Sequence, residues 1–216
     1  MLQRFIAQLD ANRGTAIAAV LGAAAAVAIG AVVGLDPVFV VPLLVAIGLT
    51  TWGIYRWRFR HLGPRPKHVP GTTVASSGLA ALVVVFLVAQ AVPYGRDHSN
   101  PPITGEPAWA TAQTRDLMVR SCFDCHSNEV RWPWFTNVAP FSWATQKHVD
   151  DGRDKVNYQE FDRPQDEAEE TFETVEEGSM PPPYYTLIGL HSDADLSSAE
   201  FSALLDGLRN TPGMTE

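Results

Sequence analysis

Cysteine is nearly missing from this sequence: Cys122 and Cys125 are the only two in 216 residues. Two thiols cannot build the multi-bridge framework of a small secreted domain, and no second pair exists to complete a four-ligand zinc site. A thioredoxin-like redox pair would need a strand–helix–strand setting, and the flanking sequence offers none. Acidic residues are equally scarce in the first 95 positions, which hold two against seven Lys/Arg; the remainder holds twenty-two against nine. The net charge of −8 and the mean hydropathy near zero therefore average two unlike parts. The first reads as a membrane region and the second as an acidic water-soluble domain. No nucleic-acid partner is expected.

The two cysteines lie in Cys122-Phe123-Asp124-Cys125-His126. Cys-x-x-Cys-His is the attachment signature of a c-type haem. Cysteines three apart share one face of a helical turn, so both sulfurs can bond one porphyrin edge. The following His126 then becomes the proximal iron ligand. One covalent haem c is the expected cofactor.

Three uncharged apolar stretches occupy about 15–34, 38–55 and 72–92, each near the length that crosses a bilayer as a helix. The expectation is a region of three transmembrane helices over 15–95. Gly34-Leu35-Asp36-Pro37 is the tight turn of a helical hairpin, and Pro42 lies inside the second stretch. Arg56, Arg58, Arg60, Arg65 and Lys67 crowd the loop expected after the second span, and Arg4 and Arg13 precede the first. The positive-inside rule puts both places in the cytoplasm and delivers everything after Pro93 to the periplasmic or extracellular side. Gly22, Ala26, Gly30 and Gly34 form a small-residue stripe, read equally well as a helix-packing face or as the chance product of an Ala/Gly-rich span. Leu2, Phe5, Ile6 and Leu9 suggest an interfacial helix within 1–14. Three spans exceed what a tether requires, which points to an integral membrane complex as a partner.

A Pro-rich linker over 96–108 is expected to be extended, as a leash or as a strap laid along a partner. The haem domain then fills 109–216. Helices are expected over Thr111–Arg120, over Phe141–Asp151 closed by Gly152, from Pro164 to Gly178, and after the Ser197/Glu200 capping box. Trp132 and Trp134, with Phe135, Phe141 and Trp143, are natural walls for an apolar plate, although ordinary core packing would use them as well. Met180, in the rigid loop Ser179-Met180-Pro181-Pro182-Pro183-Tyr184-Tyr185, is the first candidate for the sixth ligand. His148 is its rival and His191 the weaker one. Tyr184 is placed with the cofactor-contacting residues. The acidic run Asp166 to Glu177 is either a solvated face or a docking patch for a basic redox partner.

Residues 115–210 resemble the bacterial haem-binding domain family. The resemblance rests on the Cys-x-x-Cys-His-Ser-Asn run from Cys122, Trp132-Pro133-Trp134, and Pro140 followed by Ser142-Trp143. It continues through His148-Val149 with Gly152-Arg153, Asn157 with an aromatic four positions on, and Met180-Pro181-Pro182. It implies a compact helical c-type cytochrome domain with one haem. The chain departs from the pattern at Val130, commonly small and polar, and at Phe161, usually Trp. The expected fold class is thus all-α, a three-helix transmembrane region followed by a small cytochrome domain. The expected function is single-electron transfer outside the cytoplasmic membrane, within a larger respiratory or photosynthetic complex and toward a redox partner protein there. The alternatives are a haem sensor or peroxidase-like enzyme with an open sixth site, and an accessory assembly subunit whose haem is structural. An electron-transfer role is favoured over a stand-alone enzyme.

Overall fold

The computed structural model describes Ala23, Val27 and residues 36–61, 71–187 and 191–215. The chain divides into two compact units, Met1–Pro93 and Tyr94–Glu216. Among the described residues all regular structure is helical, apart from one isolated bridge between Gly105 and Glu160.

In the first unit, α1 (Pro37–His61) and α2 (Gly71–Ala89) pack against each other. Asp36 starts α1: its Oδ1 accepts the Val38 amide at 2.8 Å, with Pro37 in the first helical position, where a missing N–H costs nothing. Pro42 is carried inside α1. The helix also runs on to His61, so Arg56, Arg58 and Arg60 lie on it and not in a loop. Two features account for the extension. Arg is a good helix former and is favourable near the negative end of the helix dipole. Arg56 also covers the Trp52 ring at 4.8 Å, and Tyr55 meets Phe59 at 4.8 Å, both one turn apart. The buried face of α2 is Ser77, Ala81, Val85 and Ala89, a four-residue repeat of mostly small side chains.

Among the described residues two helices, not three, are long and apolar enough to cross a membrane. The expected interfacial helix, the 15–34 stretch apart from Ala23 and Val27, its Gly22/Ala26/Gly30/Gly34 stripe, and Arg4, Arg13, Arg65 and Lys67 lie outside the described residues.

The second unit opens with the linker, which proves to be a strap on its own domain. Asn100 pairs both ways with Val130: its Nδ2 donates to the carbonyl at 3.0 Å and its Oδ1 accepts the amide at 3.2 Å. Pro102 O accepts from Asn128 Nδ2, and Phe161 N donates to Gly105 O, each at 3.0 Å. Glu106 then takes Arg115 in a bidentate pair with both bonds 2.7 Å long. The prolines keep the segment extended, and the domain supplies partners for its backbone.

α3 (Ala112–Ser121) is capped by Thr111, whose hydroxyl accepts the Thr114 amide. It leads into the single turn α4 (Phe123–His126). α5 (Phe141–Lys155) is longer than expected, because Gly152 sits inside it. A Cβ there would lie 2.6 Å from the Cys125 carbonyl oxygen, so glycine is present for close helix approach and not for termination. α6 is only Thr171–Glu176. The expected start at Pro164 fails because Gln165 is turned to the neighbouring loop: it accepts the Asn157 amide at 2.9 Å and donates to Glu160 O at 2.9 Å. The expected stop at Gly178 holds, with φ +72°. The short α7 (Pro183–Leu187) precedes α8 (Ser198–Arg209), which carries the expected Ser197/Glu200 capping box. Leu204 and Leu208 of α8 join Leu117, Met118, Phe123, Tyr158 and Val175 in the core, with Phe201 and Leu205 packed at its edge.

Gly152→Ala should destabilise this unit by about 1–3 kcal/mol, the usual cost of overpacking, read as a lower denaturation midpoint by circular dichroism. Arg115, helped by Gln159 and Trp109 against the effect of burial, holds the Glu106 carboxyl down at about 2 from an ordinary 4.5. A depressed carboxylate stabilises the fold above its unfolded value and loses that contribution as pH falls through the folded one. The thermal midpoint should therefore drop between pH 4.5 and 2, with a shallower slope in Glu106→Gln.

Candidate haem site

The Cys-x-x-Cys-His run becomes a site because α3 breaks at Cys122. The Cys122 amide still donates to Met118 O at 2.8 Å, but the backbone leaves helical geometry there. A new turn starts at once, with His126 N donating to Cys122 O at 3.0 Å. This turn brings both thiols and the imidazole to the wall of one cavity of about 300 Å³. The volume is at the lower end of the range for ligand pockets.

His126 is held for ligation. Its Nδ1 lies 3.1 Å from the Val156 carbonyl, which can only accept, so the proton is on Nδ1 and Nε2 keeps its lone pair. Burial lowers its pKa and keeps the ring neutral. A backbone carbonyl on the second nitrogen is the usual way to orient a metal-binding histidine. Burial also pushes both thiols up to about 12, with the Asp124 charge adding to the effect at Cys125. Neutral thiols suit neither a thiolate nucleophile nor a thiolate metal site. Among the described residues, no group of three or more His, Cys, Asp or Glu is arranged to hold a metal ion.

Met180, His148 and Tyr184 line the same cavity. Met180 follows the Gly178 turn, where its amide donates to Thr174 O at 3.1 Å, and its side chain is exposed at the rim. His148 Nε2 is 3.4 Å from the Tyr184 hydroxyl, and the two rings stack at 5.4 Å. Both leading candidates for a sixth ligand are thus at the site. His191 is not among the lining residues; it stacks on Tyr185 at 3.9 Å, beside Asp124.

Trp132 and Trp134 also lie away from the cavity lining. The strap takes Trp132: His98 stacks on it at 4.7 Å, and its indole N–H donates to Asn100 Oδ1 at 3.3 Å. Trp134 is 79% exposed, at the start of a 3-10 turn. As aromatics they were natural walls for an apolar plate, but ordinary packing uses such side chains as well. In their place the cavity uses Val156, Tyr158, Val175 and Tyr185, together with Gly152. Of these, Gly152 carried a sequence signal, in the family pattern with Arg153; Tyr185 was hidden beside Tyr184. Asp151, Lys155, Glu167 and Glu170 contribute the polar part of the lining, with Lys155 paired to Glu167. The expected acidic face is therefore partly a feature of the cavity.

Two half-buried thiols, an oriented imidazole and a thioether around a mostly apolar cavity fit a haem. The family comparison agrees: the family described as Haem-binding domain matches residues 84–210. No curated protein and no solved structure is detectably similar to the chain.

Proposed function

Since this chain belongs to the haem-binding domain family, we propose that it is a membrane-anchored monohaem c-type cytochrome. In this reading it transfers single electrons outside the cytoplasmic membrane as a subunit of a larger membrane complex. The observation that carries it is the convergence of Cys122, Cys125, His126 and Met180 on one cavity. A bound haem supplies reversible one-electron chemistry at its iron. The residues of the chain do the rest. Cys122 and Cys125 would hold the ring through their sulfurs, and His126, kept from turning by the Val156 carbonyl, would offer Nε2 to the iron. Met180 would offer its thioether as a further ligand from its proline-bounded loop. A thioether there favours a higher potential than a second imidazole would.

Arg56, Arg58 and Arg60 at the end of α1 belong on the cytoplasmic side. The chain after α2 then emerges on the opposite side, where c-type haem is attached. A redox partner protein on that side exchanges electrons with the domain. A haem sensor or enzyme is the second reading, supported by the His148–Tyr184 pair, a polar group able to face an open iron.

Absorption spectroscopy of the detergent-purified protein separates the two. The oxidised form should show a weak near-infrared sulfur-to-iron band that Met180→Ala abolishes, and the reduced form should not bind carbon monoxide. The double variant Cys122→Ala/Cys125→Ala should lose haem staining after denaturing electrophoresis. Rapid carbon monoxide binding to the reduced wild type would sink the closed-carrier reading and make His148 the next residue to change.

A further inference from the structure

Asp124 is the second of the two residues between the cysteines, and its carboxylate, 8% exposed, gathers three segments of the chain. Its Oδ1 accepts the Arg131 amide at 3.1 Å and Arg131 Nε at 3.0 Å. Its Oδ2 accepts Arg131 Nη2 at 2.7 Å and the Tyr185 hydroxyl at 2.8 Å. His191 Nδ1 stands 3.6 Å from the same oxygen, and its ring lies on Tyr185 at 3.9 Å and 11°. Arg131 continues to Asp193, whose carbonyl accepts Arg120 Nε at 2.9 Å.

Tyr185 sits five residues beyond Met180, with Pro181, Pro182 and Pro183 between them. Prolines have fixed φ, so anchoring the tyrosine restricts where the methionine can be. At its other end the loop is tied by the bonds from the Ser179 and Met180 amides to Thr174 O, at 3.0 and 3.1 Å. Asp124 is itself bound into the cysteine turn. Its bond to Tyr185 therefore measures the loop directly against the residues that would hold the haem.

We propose that Asp124 and Tyr185 form a latch that positions the Met180 loop relative to the Cys122–His126 turn. Both are positioning residues: they act through the loop and need not touch the iron. The role of the loop in ligation rests on the function proposed above, whereas the latch itself does not require it.

The test is Tyr185→Phe in the full-length, haem-loaded protein, which removes one hydroxyl and keeps the ring stacked on His191 and the Asp124–Arg131 pair intact. Asp124→Asn serves as the second variant. The backbone amides of Met180 and of residues 184–187 should exchange with deuterium at least tenfold faster, with those of α3 unchanged, and the near-infrared sulfur-to-iron band should weaken. Unchanged exchange in the loop would falsify the latch. Faster loop exchange with the band at full strength also overturns the positioning role, since the methionine would then be held without it. Faster exchange across α3 as well would overturn it in favour of a general structural role. A wild type without the band, or a band surviving in Met180→Ala, refutes methionine ligation instead, and the exchange rates then decide the latch alone.

Discussion

The haem domain depends on how closely α5 approaches the cysteine turn. Gly152 rests its bare Cα against the Cys125 carbonyl, at a place where a methyl group would not fit. That contact brings the end of α5, and with it Val156, to the point where its carbonyl fixes His126. The same helix contributes His148, Asp151 and Lys155 to the cavity. Moving α5 outward by the thickness of a methyl would widen the cavity and free the imidazole together. A second close contact, Gly207 of α8 against Thr114 of α3, sets the depth of the core beneath it.

Around this apolar centre the domain places buried polar groups whose hydrogen bonds are closely matched. Asn128, Asn157 and Gln159 are all buried, and each bonds another or a backbone group of the strap or the α4 turn. Buried amides stabilise only when satisfied, and then they specify one arrangement. This explains how a proline-rich connector with no apolar periodicity becomes an ordered part of the fold. Asp124 plays the same part on another side of the turn: burial would raise its pKa, but His191, Arg131 and Tyr185 hold it well below the ordinary carboxylate range.

The N-terminal unit follows different physics. Packing between α1 and α2 relies on close fit, and the buried positions of α2 are mostly small for that reason. The end of α1 is cationic and aromatic, and its Arg and Trp side chains each combine an apolar body with a polar tip. The arginines continue the helix there, where a loop was expected from their charge alone.

Legible in the sequence alone were the division into an apolar basic part and an acidic helical part, the pairing of two cysteines with His126, and the cap at Ser197. Each is local: a run of composition, a spacing within one turn, or a side chain bonding an amide three residues on. It also singled out Met180, His148 and Tyr184, which the fold gathers at one cavity. Only the tertiary structure decided that Trp132 belongs to the strap, that Gly152 lies inside a helix, that the helix expected at Pro164 begins at Thr171, and that Tyr185 reaches Asp124. These depend on groups 8 to 61 positions apart in the chain. No local pattern encodes such a meeting, because the free energy that fixes it arises only when packing brings the partners together.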